Sequence, residues 1–336
     1  MESARVLNRD FHLSPLPGAL EVQSTPSGDD MNQPMRILIA YDGSSGADAV
    51  LADLQRAGFP NDVEAIVISV ADVCLWPMSN PDADSTIPEL PSVEKAHRQA
   101  LQAVEEARAL ATEASARLRD RFPSWRVSAE SRGDSPAWAI IQKADQWKPD
   151  LVIVGSHGRS ALGNLFLGSV SQKVIAETAC SVRVGRANAN RSGLAVRSVI
   201  GVDGSAGADT AVRAVAQRLW PTGSEVRLVA ALDPMIATAL QWVEGGALDE
   251  RAWMSKRVQS SVERLEASGL TVTSLIKEGD PKRILTDEAK QWGADCIFVG
   301  ARGLRGIGRF LLGSVSAAVV ARAHCSVEVV RSYASV

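Results

Sequence analysis

The chain has 336 residues, a length that suggests two domains of about 150 residues each and a remainder. Its hydrophobic fraction of 46% and charged fraction of 22% are typical of globular proteins and exclude disordered, collagenous and coiled-coil classes. The formal net charge of -3 argues against a protein whose main partner is a nucleic acid. Four cysteines without the paired spacing of zinc sites indicate no disulfide framework, so we expect a reducing, cytoplasmic location.

Residues 1–34 are predicted to be a disordered leader. The segment is rich in proline and glycine, and acids such as Glu2, Asp10 and Glu21 are atypical of transit peptides. The alternative is an over-called start codon, with Met31 or Met35 as the true start. Because no apolar run approaches the roughly 20 residues of a membrane span, we expect no membrane partner.

An internal repeat organises the rest of the chain. A short apolar run ends in Asp-Gly-Ser at Asp42 and again at Asp203, and an alanine-rich helical stretch follows each time. Later in each copy, Leu151-Val-Ile-Val-Gly corresponds to Cys296-Ile-Phe-Val-Gly. The sequence therefore predicts two copies of one domain, at 35–186 and 198–332, joined by a linker at 187–197.

Apolar runs alternate with helical patterns within each copy. The continuous run Leu151-Val-Ile-Val is typical of a parallel strand that is covered on both faces. The class is therefore α/β, with two doubly wound, open parallel-sheet domains of the Rossmann-like type in tandem. In the first copy we predict strands at 36–41, 63–70, 126–130, 151–154 and 181–184, and helices near 45–58, 93–121, 136–147 and 169–178.

The loop after the fourth strand follows the pattern Gly-x2-Gly-x9-Gly-Ser in both copies. Glycines let a ligand approach the backbone closely, and a helix that opens at the final serine offers N–H groups to phosphate oxygens. The alternative is a purely structural turn with a serine N-cap. Identical spacing in two copies favours phosphate binding. The residues are Gly155, Gly158, Gly168 and Ser169 in the first copy, and Gly300, Gly303, Gly313 and Ser314 in the second.

This spacing resembles the nucleotide-binding motif of the universal stress protein family, and the resemblance extends over residues 35–331. It implies an adenine nucleotide alpha hydrolase-like fold that binds ATP, ADP or AMP, with or without Mg²⁺, in one or both copies. Aspartates would face the ribose or a metal ion, strand-two residues would contact adenine, and the loops would hold phosphates. The implied site residues are Asp42, Val70, Gly155, Gly158, Gly168, Ser169, Val170 and Ser171, and Asp203, Ala231, Gly300, Gly303, Gly313, Ser314, Val315 and Ser316.

Several features set this chain apart from the family pattern. The connection at 73–92 is long enough to cover or crowd the first site. In the second loop Arg302, Arg305 and Arg309 either attract phosphates or are ordinary solvated arginines. His157 has Arg302 as its counterpart, which excludes a shared catalytic histidine, and we expect His157 to be an exposed loop residue near phosphate. The Cys-Ser-Val segments at Cys180 and Cys325 replace the family's Cys-Pro-Val, which concerns a turn rather than the site.

The resemblance implies a nucleotide-binding module in stress response or signalling, with a protein partner that the sequence does not name. In single-domain relatives, two chains pair through their last strands. We therefore expect the segments Val182-Arg-Val and Val327-Glu-Val to pair within this chain. Association of two such chains into a homodimer is a further alternative. One alternative is a slow ATPase or autophosphorylating enzyme, in which Asp42 or Asp203 organises a metal. The other is an adaptor with vestigial nucleotide sites.

Overall fold

The computed structural model describes residues 33–73, 91–158, 167–186, 195–232, 250–303 and 312–332. Residues 1–32 of the predicted leader, most of the connection after Val73 and most of the linker lie outside these ranges. None of the helices in the described ranges combines the length and the apolarity needed to span a bilayer.

Strands and helices alternate along both copies. The strands are β1 Met35–Ala40, β2 Val63–Ala71, β3 Arg126–Gly133, β4 Leu151–Gly155, β5 Ser181–Gly185, β6 Arg197–Val202, β7 Glu225–Leu232, β8 Thr271–Glu278, β9 Cys296–Gly300 and β10 Ser326–Val330. The helices are α1 Ser45–Asp53, α2 Pro91–Arg121, α3 Pro136–Trp147, α4 Ser169–Glu177, α5 Ala206–Ala216, α6 Glu250–Glu266, α7 Pro281–Trp292 and α8 Ser314–Arg322.

The boundaries differ from the sequence prediction mainly at the first helix. It was expected to run to residue 58, but α1 ends at Asp53 and continues as a 3₁₀ turn over Leu54–Arg56. Gly58 has φ +67, a left-handed conformation that ends helices. At the other end of the first copy, β6 begins at Arg197, the last residue of the predicted linker, because its backbone pairs with Glu225 in β7.

One continuous sheet contains all ten strands of the described ranges, in the order β3-β2-β1-β4-β5-β10-β9-β6-β7-β8. Strands within each copy are parallel, with Ile37 of β1 beside Leu151 of β4 as one example, whereas β5 and β10 are antiparallel, with Arg183 opposite Glu328. The doubly wound α/β class is confirmed, and so is the expected pairing of the last strands. In both copies the strand order reverses beside the first strand, which is where open α/β sheets bind ligands.

The junction between the copies belongs to a hydrophobic core. Val182, Val184, Val327 and Val329 are fully buried and lie in one cluster that continues into both copies. Each buried valine contributes about 1.5–3 kcal/mol to stability relative to an exposed one. The two copies are therefore held together by the same kind of packing that forms their own interiors.

The helices α2 and α6 cover equivalent faces of the two halves. Their buried positions match in pairs: Ala107 with Met254, Ala111 with Val258, Ala114 with Ser261 and Leu118 with Leu265. This register fixes which residues of the two helices correspond.

Candidate functional site

A cleft of about 350 Å³ opens at the carboxyl ends of β1, β2 and β4 in the first copy. All eight positions that the sequence analysis assigns to this copy line it. They are Asp42, Val70, Gly155, Gly158, Gly168, Ser169, Val170 and Ser171. Segments far apart in sequence thus meet at the strand-order reversal.

The Asp-Gly-Ser turn after β1 forms one side of the cleft. The Ser44 backbone N–H donates to Asp42 Oδ1 at 3.0 Å, which holds the carboxylate at the mouth of the turn. Ser44 Oγ accepts from the Ala47 N–H at 3.2 Å and so caps α1. The same hydroxyl donates to the His157 carbonyl oxygen at 3.4 Å. These contacts tie the turn to the glycine loop.

The N-terminus of α4 lines the same cleft. Its N-cap residue is Gly168, and no side chain of the described residues caps it. The serine N-cap considered in the sequence analysis is therefore not what the structure contains, because Ser169 is the first residue of the helix. The uncapped N–H groups and the helix dipole favour an anion at this end.

Glycine is needed where the loop passes the aspartate. A Cβ built on Gly158 would lie 3.0 Å from Asp42 Oδ2, so a larger residue would displace the carboxylate or the loop. Ser171 Oγ donates to the Gly155 carbonyl oxygen at 2.6 Å and fastens the start of the loop to α4. The Ser171 hydroxyl proton is thus used within the fold, and only its oxygen lone pairs face a ligand.

His157 lies in the glycine loop and lines the cleft, but it is partly buried rather than exposed as the sequence predicts. Its Nδ1 shares a 2.8 Å hydrogen bond with Ser156 Oγ. Its Nε2 is buried, and no partner for this atom lies among the described residues. Burial lowers the pKa of His157, and the charge of Arg186 lowers the pKa further. Both effects favour the neutral form of the imidazole.

A hydrogen-bonded triad supports the end of β1 beside the cleft. The Tyr41 hydroxyl donates to Asp48 Oδ1 at 2.8 Å, and Arg117 donates to the Tyr41 oxygen at 3.0 Å and to Asp48 at 2.8 Å. Hydrogen bonding from Arg117 lowers the pKa of Asp48. No motif in the sequence pointed to these residues, because Arg117 lies on α2, far along the chain from Tyr41.

Three acidic side chains reach the cleft, from Asp42, Asp72 and Glu106. Within the described part of the chain, no three His, Cys, Asp or Glu side chains come close enough to hold a metal ion by themselves. Mg²⁺ in nucleotide sites uses one or two carboxylates together with phosphate oxygens and water. The donor set of the cleft fits a Mg²⁺ that arrives with a nucleotide.

The second copy repeats the local architecture. The Ser205 N–H donates to Asp203 Oδ1 at 2.9 Å, and Ser316 Oγ donates to the Gly300 carbonyl oxygen at 2.6 Å. Gly313 caps α8 without a side-chain partner among the described residues. The other predicted residues stand at matching places: Gly303 follows β9, Ser314 and Val315 open α8, and Ala231 lies near the end of β7.

The additional basic residues of the second loop are only partly described. Arg302 is partly buried, and its carbonyl oxygen accepts from Ser205 Oγ at 3.5 Å. Arg305 and Arg309 lie outside the described residues. Arg302 is thus part of the contact between turn and loop, as His157 is in the first copy.

The cysteines in the described ranges lie in the core. Cys180, Cys296 and Cys325 are buried as free thiols. Burial raises the pKa of Cys180 and of Cys325 to about 12. These thiols stay protonated at neutral pH and act as small core residues.

The fold and the two loops define a tandem α/β protein with a ligand cleft where the strand order reverses. The chain belongs to the universal stress protein family, whose sequence model matches residues 34–186 and 197–331. Each match contains one Asp-Gly-Ser turn and one glycine loop.

Individual relatives agree with this assignment. A universal stress protein of Thermus aquaticus is 32% identical over 149 residues, which are 44% of this chain and 94% of the relative. One from Mycobacterium tuberculosis is 26% identical over 300 residues, covering 88% of this chain and 96% of the relative. A match of 37% identity to a protein of Synechocystis spans 83 residues, about half (51%) of that protein.

Solved structures show the same fold. The crystal structure of a universal stress protein from Archaeoglobus fulgidus has a TM-score of 0.60 at 21% identity, covering 88% of this chain and 98% of that one. A structure from Pseudomonas aeruginosa has a TM-score of 0.58 at 14% identity, covering 90% and 95%. Both relatives cover the two copies, so the tandem arrangement is shared.

Proposed function

We propose that the chain binds an adenine nucleotide, either ATP with Mg²⁺ or ADP or AMP, and acts as a nucleotide-dependent binding module in a cytoplasmic stress response. The observation that carries the proposal is the cleft of the first copy, in which a carboxylate, a glycine loop and an uncapped helix N-terminus face one space. Its volume is within the ~300–1,000 Å³ typical of small-molecule sites.

The polar side of the cleft suits a polyphosphate. The N–H groups at Gly168 and Ser169 stand at the positive end of the α4 dipole, where phosphate oxygens are favoured. Asp42 lines the same cleft and suits a ribose hydroxyl or a Mg²⁺ bound to the phosphates.

The other side of the cleft is apolar and suits an aromatic base. Ile68 and Val70 of β2, Ala107 of α2 and Ile140 of α3 line it. Backbone groups near Val70 would supply the hydrogen bonds that distinguish adenine from other bases. We assign no hydrolysis step, because a site of this kind can hold a nucleotide without cleaving it.

Isothermal titration calorimetry of the full chain with ATP, ADP and AMP, with and without Mg²⁺, tests the proposal. We expect binding at micromolar to millimolar nucleotide and strengthening of ATP binding by Mg²⁺. Mass spectrometry of the small molecules released from denatured protein is an independent check. No heat with any of the three nucleotides at millimolar concentration would refute nucleotide binding and leave the adaptor alternative.

A further inference from the structure

The two copies differ at two adjacent helical positions that line the cleft in the first copy. In the register set by the buried pairs of α2 and α6, Glu106 corresponds to Trp253 and Ala107 corresponds to Met254. Glu106 and Ala107 both line the open cleft of the first copy. The second copy therefore has two much larger apolar side chains where the first has an exposed carboxylate and a methyl group.

Trp253 lies against the turn that follows β6. A Cβ built on Gly204 would lie 3.0 Å from Trp253 Cζ3 and 3.1 Å from Cζ2, and still closer to Cη2. Gly204 directly follows Asp203 in the Asp-Gly-Ser turn and has φ +77. The tip of the indole thus rests on the backbone beside the carboxylate that a nucleotide would have to reach.

Neighbouring residues fix the indole in this place. The Arg257 guanidinium lies over the Trp253 ring, 5.5 Å from its centroid, and Trp253 packs against the core of the second copy. Met254 is 4% exposed and belongs to that core, whereas its counterpart Ala107 forms part of a cleft wall. Both side chains stand at helix positions whose counterparts, Glu106 and Ala107, line the open cleft of the first copy.

The glycine loop of the second copy also lies closer to its turn. In the first copy a Cβ on Gly158 would lie 3.0 Å from the aspartate Oδ2, and a Cβ on Gly155 would lie 3.2 Å from the Gly46 carbonyl carbon. In the second copy, the distance from a Cβ built on Gly303 to Asp203 and the distance from a Cβ built on Gly300 to Gly207 are both shorter than their first-copy counterparts. This difference does not involve Trp253, and it shows that the glycine loop and the Asp-Gly-Ser turn lie closer together in the second copy.

We infer that the chain holds one nucleotide, in the first copy, and that Trp253 and Met254 fill the corresponding space in the second. The inference rests on the proposed function and sharpens it from one or two sites to one. The second copy keeps the family's loop pattern, but its cleft is filled from within by its own helix α6.

Stoichiometry on the full chain is the first test. Calorimetry with ATP and Mg²⁺ is expected to give one equivalent per chain. Two equivalents would overturn this inference and leave the proposed function standing. No binding at all would overturn the proposed function and this inference with it.

Exchanging residues between the two copies tests whether the side chains at these helix positions decide which cleft binds the nucleotide. Glu106→Trp puts the second copy's tryptophan into the first cleft, on an exposed helix position, and is expected to weaken ATP binding at least tenfold. Glu105→Trp adds the same side chain at the neighbouring exposed position, which does not line the cleft, and should bind as the wild type does. Unchanged binding by Glu106→Trp would overturn the role given to Trp253.

The opposite exchange is Trp253→Glu combined with Met254→Ala, which gives the second copy the residues of the first. It is expected to bind two equivalents. A double variant that keeps the wild-type circular dichroism spectrum and still binds one equivalent would contradict the assignment. If the double variant does not fold, the Glu106→Trp and Glu105→Trp pair decides.

Discussion

Arg183 and Glu328 occupy the same position in the two copies and face each other across the antiparallel pair of β5 and β10. Arg183 NH1 lies 3.2 Å from Glu328 Oε2, with side-chain exposures of 1% and 2%. Arg183 Nε also contacts Asp53 Oδ2 at 2.6 Å, and Arg218 pairs with the other oxygen of Glu328. Pairing of the unlike copies thus sets opposite charges against each other, whereas the same register between two like copies would oppose like charges.

Removing one member of this cluster should destabilise the chain strongly. Arg183→Met keeps similar volume but removes the Arg183 contact from Asp53 and leaves the buried Glu328 with Arg218 as its remaining partner in the cluster. We expect a loss of about 3–5 kcal/mol. The measurement is the free energy of unfolding in urea. Arg108→Met is the control, because Arg108 and Glu105 form an exposed pair and its loss should change stability by less than about 1 kcal/mol. Equal effects of the two substitutions would contradict the importance of the buried cluster.

The carboxylate of Asp42 should matter for the nucleotide. Asp42→Asn keeps the size of the side chain and removes its charge, which we expect to weaken ATP binding about 10- to 100-fold. Calorimetry with Mg²⁺ present measures this. Asp62→Asn, at an exposed position before β2, is the control and should bind normally. If both variants bind as the wild type does, Asp42 does not contact the ligand.

A charge placed at the start of α4 should affect stability and binding in opposite directions. Ser169→Asp puts an acid in the first turn of the helix, where it should stabilise the fold by about 0.3–1 kcal/mol. The same charge repels phosphate and should weaken ATP binding about tenfold or more. Thermal unfolding and calorimetry measure the two effects. Ser169→Ala, which adds no charge, separates loss of the hydroxyl from repulsion. An aspartate variant with unimpaired ATP affinity would place the phosphates elsewhere.

The lowered pKa of His157 predicts a pH dependence of stability. Because its folded pKa lies below its unfolded value, the unfolded chain takes up this proton first as the pH falls. His157 therefore costs stability as the pH drops through the ordinary histidine range near about 6.5. His157→Gln should flatten the wild-type stability curve between about pH 7 and 5.5, measured by urea unfolding. Parallel curves for the two proteins would show that this imidazole titrates normally.

The fold and the first site were accessible from the sequence because they depend on local patterns. Continuous apolar runs predict parallel buried strands, and glycine spacing reports directly on backbone geometry at Gly158 and Gly168. The same glycine spacing occurs in both copies, which argues against a chance match to the motif. The antiparallel pairing of Val182 with Val329 followed from the resemblance to single-domain relatives that pair in this way.

The features that the sequence did not reveal depend on contacts between distant segments. Tyr41 and Arg117 carry no motif, and only the packing of α2 against the sheet brings them together. In the sequence, Trp253 is one more apolar residue of a helix, and only the structure places its ring against Gly204. The early end of α1 at Asp53 was missed because a positive φ at Gly58 cannot be read with certainty from composition.

The antiparallel contact between β5 and β10 gives the molecule two chemically different ends. Strands of the first copy all point one way along the ten-stranded sheet and strands of the second copy point the other way, so their carboxyl ends lie on opposite edges. The open cleft and its tryptophan-filled counterpart accordingly face away from each other. A protein that docks over one edge contacts the loops of one copy only. In a symmetric dimer of identical subunits both edges would carry the same loops, whereas the two edges of this chain carry different ones.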